Sequence, residues 1–309
     1  MKTKNMKAAI CTKYGDPEVI QIQMVKKPSP KEDEVLVKVV ATTINSGDVS
    51  VRGLKAKGLK KLAMKFIFGF SKPRKPILGT VFSGVIEQVG SKTKNVVVGD
   101  EVFGVTGFKF GTHAEYLTIS SEKLILKKPS NATHVEAASI VFGGQTAIYF
   151  LHKAKIQNKQ RSKVLIIGAA GSVGSAAIQI AQYYESEITA VCHSNDKEFI
   201  KDFKIDHAIF YNQEDFTKNN SSFDIIFDTS GKFSKKQCKS LLKNGGIFKT
   251  VGGLEYATET MEQLIMLREL YEKGRYKAII DKVYPFDKII EAHRHVDSGR
   301  KKGNTVIEM

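Results

Sequence analysis

The sequence predicts an α/β protein with a β-rich N-terminal region and a doubly wound parallel sheet behind it. Three observations carry this prediction. First, Lys163–Gly174 reads as strand, glycine turn and helix start. Val164–Ile167 is a continuous apolar run suited to a strand buried on both faces, and glycines follow at 168, 171 and 174. Ser172–Glu185 then places Val173, Ala176, Ala177, Ile180 and Ala181 on one helical stripe. Second, strand and helix patterns alternate after this point, the signature of a parallel sheet covered by helices. Third, the first ~125 residues hold short apolar alternations and glycine turns in place of long helical periods. At 309 residues the chain has room for two domains, each with its own core.

In order, Met6–Thr12 and Val19–Met24 are short strands around the turn Tyr14–Pro17. Val35–Val40 alternates as a strand buried mostly on one face and runs into the polar turn Asn45, Ser46, Gly47, Asp48. A site at this strand end competes with an Asx turn followed by a helix cap at Asp48. Leu54–Lys75 interleaves eight basic residues with Leu59, Leu62, Ala63, Phe66, Ile67, Phe68 and Phe70. Such a segment suits a lid over an apolar substrate, plain packing, or peripheral contact with a membrane surface. Pro76–Gly90 and Val96–Gly107 read as β-structure, and Thr133–Lys153 as a helix with the small-residue stretch Gly143–Ala147. After the central helix, strands are expected at Ile188–Cys192, Ala208–Tyr211, Asp224–Phe227 and Gly246–Val251. Helices are expected at Asp196–Phe203, Ser234–Lys243 and Thr258–Lys273. Ala278–Ile280, Lys288–Val296 and Thr305–Ile307 close the chain.

Composition narrows the function. No apolar run reaches a membrane span, the N-terminus lacks a signal-peptide core, and three cysteines without Cys-x-x-Cys suit a reducing cytoplasm. The net charge of +16 comes overwhelmingly from lysine, with only seven arginines, and is spread along the chain. Base-edge readout favours clustered arginine, so no nucleic-acid partner is expected. The glycine turn is an anion site in the making, because unpaired amides and the positive end of the helix dipole face a phosphate there. The end of the second strand, Val191-Cys192-His193-Ser194, lacks the acid that bonds a ribose 2′-hydroxyl, which favours NADPH over NADH; Ser194 and Lys197 are suited to the 2′-phosphate.

Several stretches together resemble the zinc-free quinone oxidoreductase (ζ-crystallin-like) branch of the medium-chain dehydrogenase/reductase superfamily. They are Ile44-Asn45-Ser-Gly-Asp48…Arg52-Gly53, Leu78-Gly79…Gly90, Val98–Gly104, Gly111…Tyr116, Gly144…Thr146-Ala147, Gly168–Gly174 and Ala292…Gly303. The resemblance implies a GroES-like β-rich domain (1–128 with 276–309) and a Rossmann NADP(H)-binding domain (129–275). It implies cofactor contacts at Thr146, Gly168, Ala170, Gly171, Ser172, Val173, Gly174, Tyr211, Asp228, Thr229, Gly231, Gly252, Lys302 and Gly303. It also implies a homodimer. Zinc relatives carry a cysteine where Asn45 stands and Gly-His-Glu where Gly79-Thr80-Val81 stands, so no metal is expected.

The implied activity is hydride transfer from NADPH to a quinone or an α,β-unsaturated carbonyl, with Asn45 bonding the substrate carbonyl as its catalytic residue and the proton drawn from solvent. An enone or 2-alkenal reductase with little quinone activity and a non-catalytic NADPH sensor are the alternative readings. Tyr149…Lys153 matches the Tyr-x-x-x-Lys of short-chain dehydrogenases but precedes the glycine turn, so it is read as a helix face.

Overall fold

A computed structural model of the chain describes residues 5–55, 58–218 and 221–309. Lys57 of the basic run lies outside them, as do residues 1–4 of the N-terminal stretch. The chain divides into two compact units, Met1–Val141 with Ile280–Met309, and Phe142–Ile279.

The first unit begins with an antiparallel pair, β1 (Asn5–Cys11) and β2 (Ile20–Lys26). The long strand β3 (Glu34–Ile44) leads into helices α1 (Ser46–Gly53) and α2 (Gly58–Phe68). Strands β4 (Val81–Val89), β5 (Glu101–Val105), β6 (Tyr116–Ser120) and β7 (Ile125–Lys127) follow, then helix α3 (His134–Lys153), whose residues from Phe142 onward belong to the second unit. β3 organises this sheet. It pairs with β4 along one side, while on the other Glu34–Lys38 takes β6. Both its faces are covered: Leu36 is as buried as Val35 and Val37, and Lys38 is the exposed exception. Within Val35–Val40 burial lies mostly on the face of Val35, Val37 and Val39, as expected from the alternation, and the second face is buried at Leu36 and again from Thr42 to Ile44.

The second unit carries β8 (Lys163–Ile167), α4 (Ser172–Tyr183), β9 (Glu187–Cys192), α5 (Lys197–Lys201), β10 (His207–Phe210), β11 (Phe223–Asp228), β12 (Leu242–Thr250) and α6 (Met261–Glu272). Its sheet runs β10-β9-β8-β11-β12, all parallel, with the first strand central and the order reversing beside it. This is the doubly wound order, which leaves a crevice at the carboxyl ends of the strands where the order reverses. The helix expected at Ser234–Lys243 does not form. Ser234 and Gln237 close a short turn on each other, Lys239–Leu241 makes one 3-10 turn, and Leu242 pairs with Phe223. Burial of Cys238 and Leu241 in the apolar core beside β11 draws the chain into the sheet before a helix can complete.

The chain then rejoins the first unit through β13 (Ile280–Pro285), α7 (Ile289–Asp297) and β14 (Asn304–Glu308). β14 pairs antiparallel with Ala41–Ile44 of β3, and α7 lays Ile289, Ala292 and Val296 on the cluster that holds Ile44 and Ile307.

Candidate nucleotide and carbonyl sites

In the second unit the site is built at the end of β8. Gly168 and Ala169 donate to the carbonyl of Val191 at 2.9 and 3.1 Å, tying the turn to the neighbouring strand. Gly168 has φ +81°, and a Cβ on Gly174 would stand 2.2 Å from the Gly168 carbonyl oxygen, so a side chain at 174 would force turn and helix apart. The helix N-cap is Gly171, which has no side chain to accept from the first-turn amides. The positive end of a twelve-residue helix is therefore presented without a protein acceptor built into its cap. Gly168, Ala170 and Gly171 make this turn, and Ser172, Val173 and Gly174 are the first residues of α4 behind it. Thr229, at the end of β11, joins them, its hydroxyl donating to the Ile167 carbonyl at 2.8 Å. The arrangement fits the pyrophosphate of a dinucleotide.

Beside it, the end of β9 offers hydroxyls and a ring. Asn212 donates from Nδ2 to Ser194 Oγ at 2.9 Å and accepts from the Ser194 amide at 2.8 Å. Asn212 went unread in the sequence, because its place follows only from β10 lying against β9. Tyr211 packs edge-on against His193, with ring centroids 5.6 Å apart, and keeps about half its surface exposed (54%). Lys197 opens α5 with its side chain in solvent. Thr146 lies on α3, where its hydroxyl donates to the Phe142 carbonyl one turn back.

Asp228 has a different part from the one its position suggests. Its side chain is fully buried. One carboxylate oxygen accepts from Ser230 N, Ser230 Oγ and Gly231 N, and the other from Phe233 N and Thr250 Oγ1. All of its acceptor capacity goes into shaping the loop after β11, so it holds Thr229 and Gly231 in place and does not reach outward. Gly252 packs on Gly231, where a Cβ would meet the Gly231 carbonyl oxygen at 2.3 Å.

In the first unit, Asn45 follows β3 and caps α1; the cap is Asn45, not Asp48. Its Oδ1 accepts from the amides of Gly47 and Asp48 at 2.8 and 3.1 Å, and Asp48 returns a carboxylate oxygen to the Asn45 amide. The other Asp48 oxygen accepts from the Gly79 amide at 3.1 Å. Burial raises the Asp48 pKa, opposed by the charge of His113 and by the two amides. With Oδ1 occupied, Asn45 Nδ2 donates one hydrogen to Thr80 Oγ1 at 3.2 Å and has a second left to give. Behind α1, Arg52 is fully buried and donates to the Gly15 carbonyl, to His293 Nδ1 and to Asp297. Lys302 and Gly303 lie just before β14, with Gly303 accepting from the Lys301 ammonium.

These residues do not fit a catalytic zinc. Asn45 has spent its only lone-pair atom, Thr80 is a hydroxyl, and zinc prefers thiolate, imidazole or carboxylate. Cys11, Cys192 and Cys238 are separate and buried, and burial pushes the thiols of Cys11 and Cys238 up to about 11. Among the described residues no group of three or more His, Cys, Asp or Glu is placed to hold a metal.

Residues 31–130 match the alcohol dehydrogenase GroES-like domain and residues 203–307 the domain described as zinc-binding dehydrogenase. The chain is 32% identical to a 2-methylene-furan-3-one reductase of Solanum lycopersicum, over 98% of this chain and 79% of that protein. It is 28% identical to a chloroplastic NADPH-dependent alkenal/one oxidoreductase of Arabidopsis thaliana, over 98% of this chain and 80% of that one. The solved quinone oxidoreductase from Coxiella burnetii superposes with a TM-score of 0.88 at 26% identity, covering 99% of this chain and all of its own.

Proposed function

Since the chain belongs to the medium-chain dehydrogenase/reductase superfamily, in its quinone oxidoreductase branch, we propose that it reduces a quinone or an α,β-unsaturated carbonyl with NADPH and without zinc. The observation that carries this reading is the second unit's nucleotide site. An uncapped helix N-terminus closes on a glycine turn at the central strand, beside a strand end that offers Ser194 and Tyr211 and has no acid among residues 191–194. NADPH, when bound, supplies the hydride. In this reading the amides of Ser172, Val173 and Gly174 neutralise its pyrophosphate, and Ser194, Lys197 and Tyr211 hold the 2′-phosphate. Thr146, Thr229, Gly252, Lys302 and Gly303 complete its contacts, with residues 129–275 as the cofactor domain and 1–128 with 276–309 as the substrate domain. Asn45 uses its remaining Nδ2 hydrogen on the substrate oxygen, where negative charge grows as hydride arrives. An acceptor already electrophilic needs no Lewis acid, which agrees with a donor set unsuited to zinc. Water supplies the proton.

The acceptor class has two supports that differ. The Coxiella protein is a quinone oxidoreductase, whereas the tomato and Arabidopsis proteins are named for enone and alkenal substrates. Oxidation of NADPH and of NADH, followed by absorbance with ortho- and para-quinones, 2-alkenals and simple enones, decides between them. Turnover with NADPH and one acceptor class is the expected result; silence across the panel would overturn the proposal.

A homodimer belongs to the same reading. Its support is β12, a nine-residue, partly exposed strand at the edge of the parallel sheet and so open to pairing with a second copy. Cytoplasmic residence rests on three free, widely separated cysteines.

A further inference from the structure

Helix α2 turns its apolar side to solvent. Leu59, Leu62, Ala63 and Phe66 stand at i, i+3, i+4 and i+7, and all four are exposed, Leu59 to 86% and Phe66 to 57%. Ile67 flanks them. Phe70 just beyond packs its ring edge-on to Phe66 at 5.1 Å and is itself exposed. The opposite side of the helix supplies the anchor. Phe68 is half-buried against Phe108 and Phe110, and joins the cluster of Cys11, Val19, Val51 and Leu78. Phe108, on the loop that receives Phe68, is itself 70% exposed. A monomer rarely leaves this much clustered aromatic and aliphatic surface in water unless the patch has a partner.

Charge identifies the partner. Residues 54–75 hold eight basic side chains and no acidic one. Lys61, Lys72, Arg74 and Lys75 are exposed and form no ion pair among the described residues. A second copy docked through the same face would bring an identical positive field against this one, which opposes self-association there. An anionic bilayer satisfies both halves of the surface: the acyl boundary accepts Leu59, Leu62, Phe66 and Phe70, and the headgroups neutralise the lysines. No helix among the described residues is long and apolar enough to cross a membrane, so the contact is peripheral. We propose that α2 and the segment through Lys75 form a docking surface for anionic lipid, independent of the reductase reading.

The test is co-sedimentation of the full chain with vesicles of phosphatidylcholine alone or with phosphatidylserine, at low and at physiological ionic strength. Binding to the phosphatidylserine vesicles that weakens with salt is expected. Lys61→Glu, Lys72→Glu, Arg74→Glu and Lys75→Glu together should lower partitioning by on the order of 100-fold or more. Leu59→Gln with Phe66→Gln, on exposed positions that the fold tolerates, should lower it by more than about 10-fold. A control reversing equal charge far along the chain, at Lys232, Lys235, Lys236 and Lys239, should retain most of the binding. Failure to sediment with anionic vesicles would overturn the proposal, and so would equal loss in the control. Sedimentation velocity adds a further check: a dimer that dissociates when Leu59 and Phe66 are changed would assign the face to a second copy instead.

Discussion

His293 sits fully buried on α7, its Nδ1 accepting from Arg52 at 3.0 Å and its ring edge-on to His113. Burial, reinforced by the charges of His113 and Arg52, holds its pKa well below 6.5. As pH falls below 6.5 the unfolded chain takes up a proton at this residue that the folded chain refuses. The stability present above that pH is therefore lost on acidification, by about 1.4 kcal/mol per pH unit. Thermal unfolding across this range should show the parent losing Tm faster than His293→Asn; parallel curves would exclude His293 as the source. Asn45 calls for a pair of variants, since it caps a helix as well as facing the substrate in the proposed reading. Asn45→Ala loses both the cap, worth about 1 kcal/mol, and the amide donor. Asn45→Ser keeps a capping oxygen but not the amide. Turnover down by more than about 10-fold in both variants, with Tm recovered in the serine one, is the expected outcome. Turnover restored by serine would make Asn45 a cap and nothing more.

The strand–turn–helix of β8 and α4 was legible because everything that makes it is local: an apolar run, three glycines and a helical stripe within 23 residues of one another. Other elements depended on distant partners. Leu242 became strand rather than helix because Phe223 pairs with it, and the far end of β3, at Thr42 and Ile44, is buried on its second face where Ile44 joins a cluster from separate parts of the chain. In the candidate site, the glycine turn was readable, whereas Asp228, expected as a cofactor contact, gives both its oxygens to the loop after β11 and to Thr250, and Asn212 had no signal before β9 and β10 lay together. The same local economy makes Gly174 a sharp probe of the helix. Gly174→Val must displace the Gly168 carbonyl, 2.2 Å from the new Cβ, and so opens the turn without touching the strands. NADPH affinity, read by titration, should fall by more than about 10-fold with the far-ultraviolet circular dichroism retained, as one steric contact costs about 1–3 kcal/mol. Unchanged affinity would separate the nucleotide site from the glycine turn.

At the scale of the molecule, the two units have separate apolar clusters, and the glycine turn and the β9 end of the proposed nucleotide site both belong to one of them, Phe142–Ile279. Ligand binding should therefore appear as stabilisation of that unit's unfolding. A ligand at 100 times its dissociation constant adds about 2.7 kcal/mol to the state that binds it. For a unit of this size that corresponds to a shift in Tm on the order of 10 °C. The two nicotinamide nucleotides differ only in the 2′-phosphate, so their difference isolates the β9 end from the glycine turn. If Ser194, Tyr211 and Lys197 take the phosphate as proposed, with no carboxylate among residues 191–194 to favour a free ribose hydroxyl, NADPH should raise Tm further than NADH at equal concentration. Salt supplies the second axis. A 2′-phosphate held by the exposed Lys197 and Tyr211 would make an ionic, partly exposed contact, so the gap between the two nucleotides should narrow as ionic strength rises, while the stabilisation they share persists. Equal shifts from both nucleotides would remove those three residues from the phosphate. A shift from neither would remove the glycine turn as the nucleotide site and, with it, the physical basis for reading the chain as a reductase.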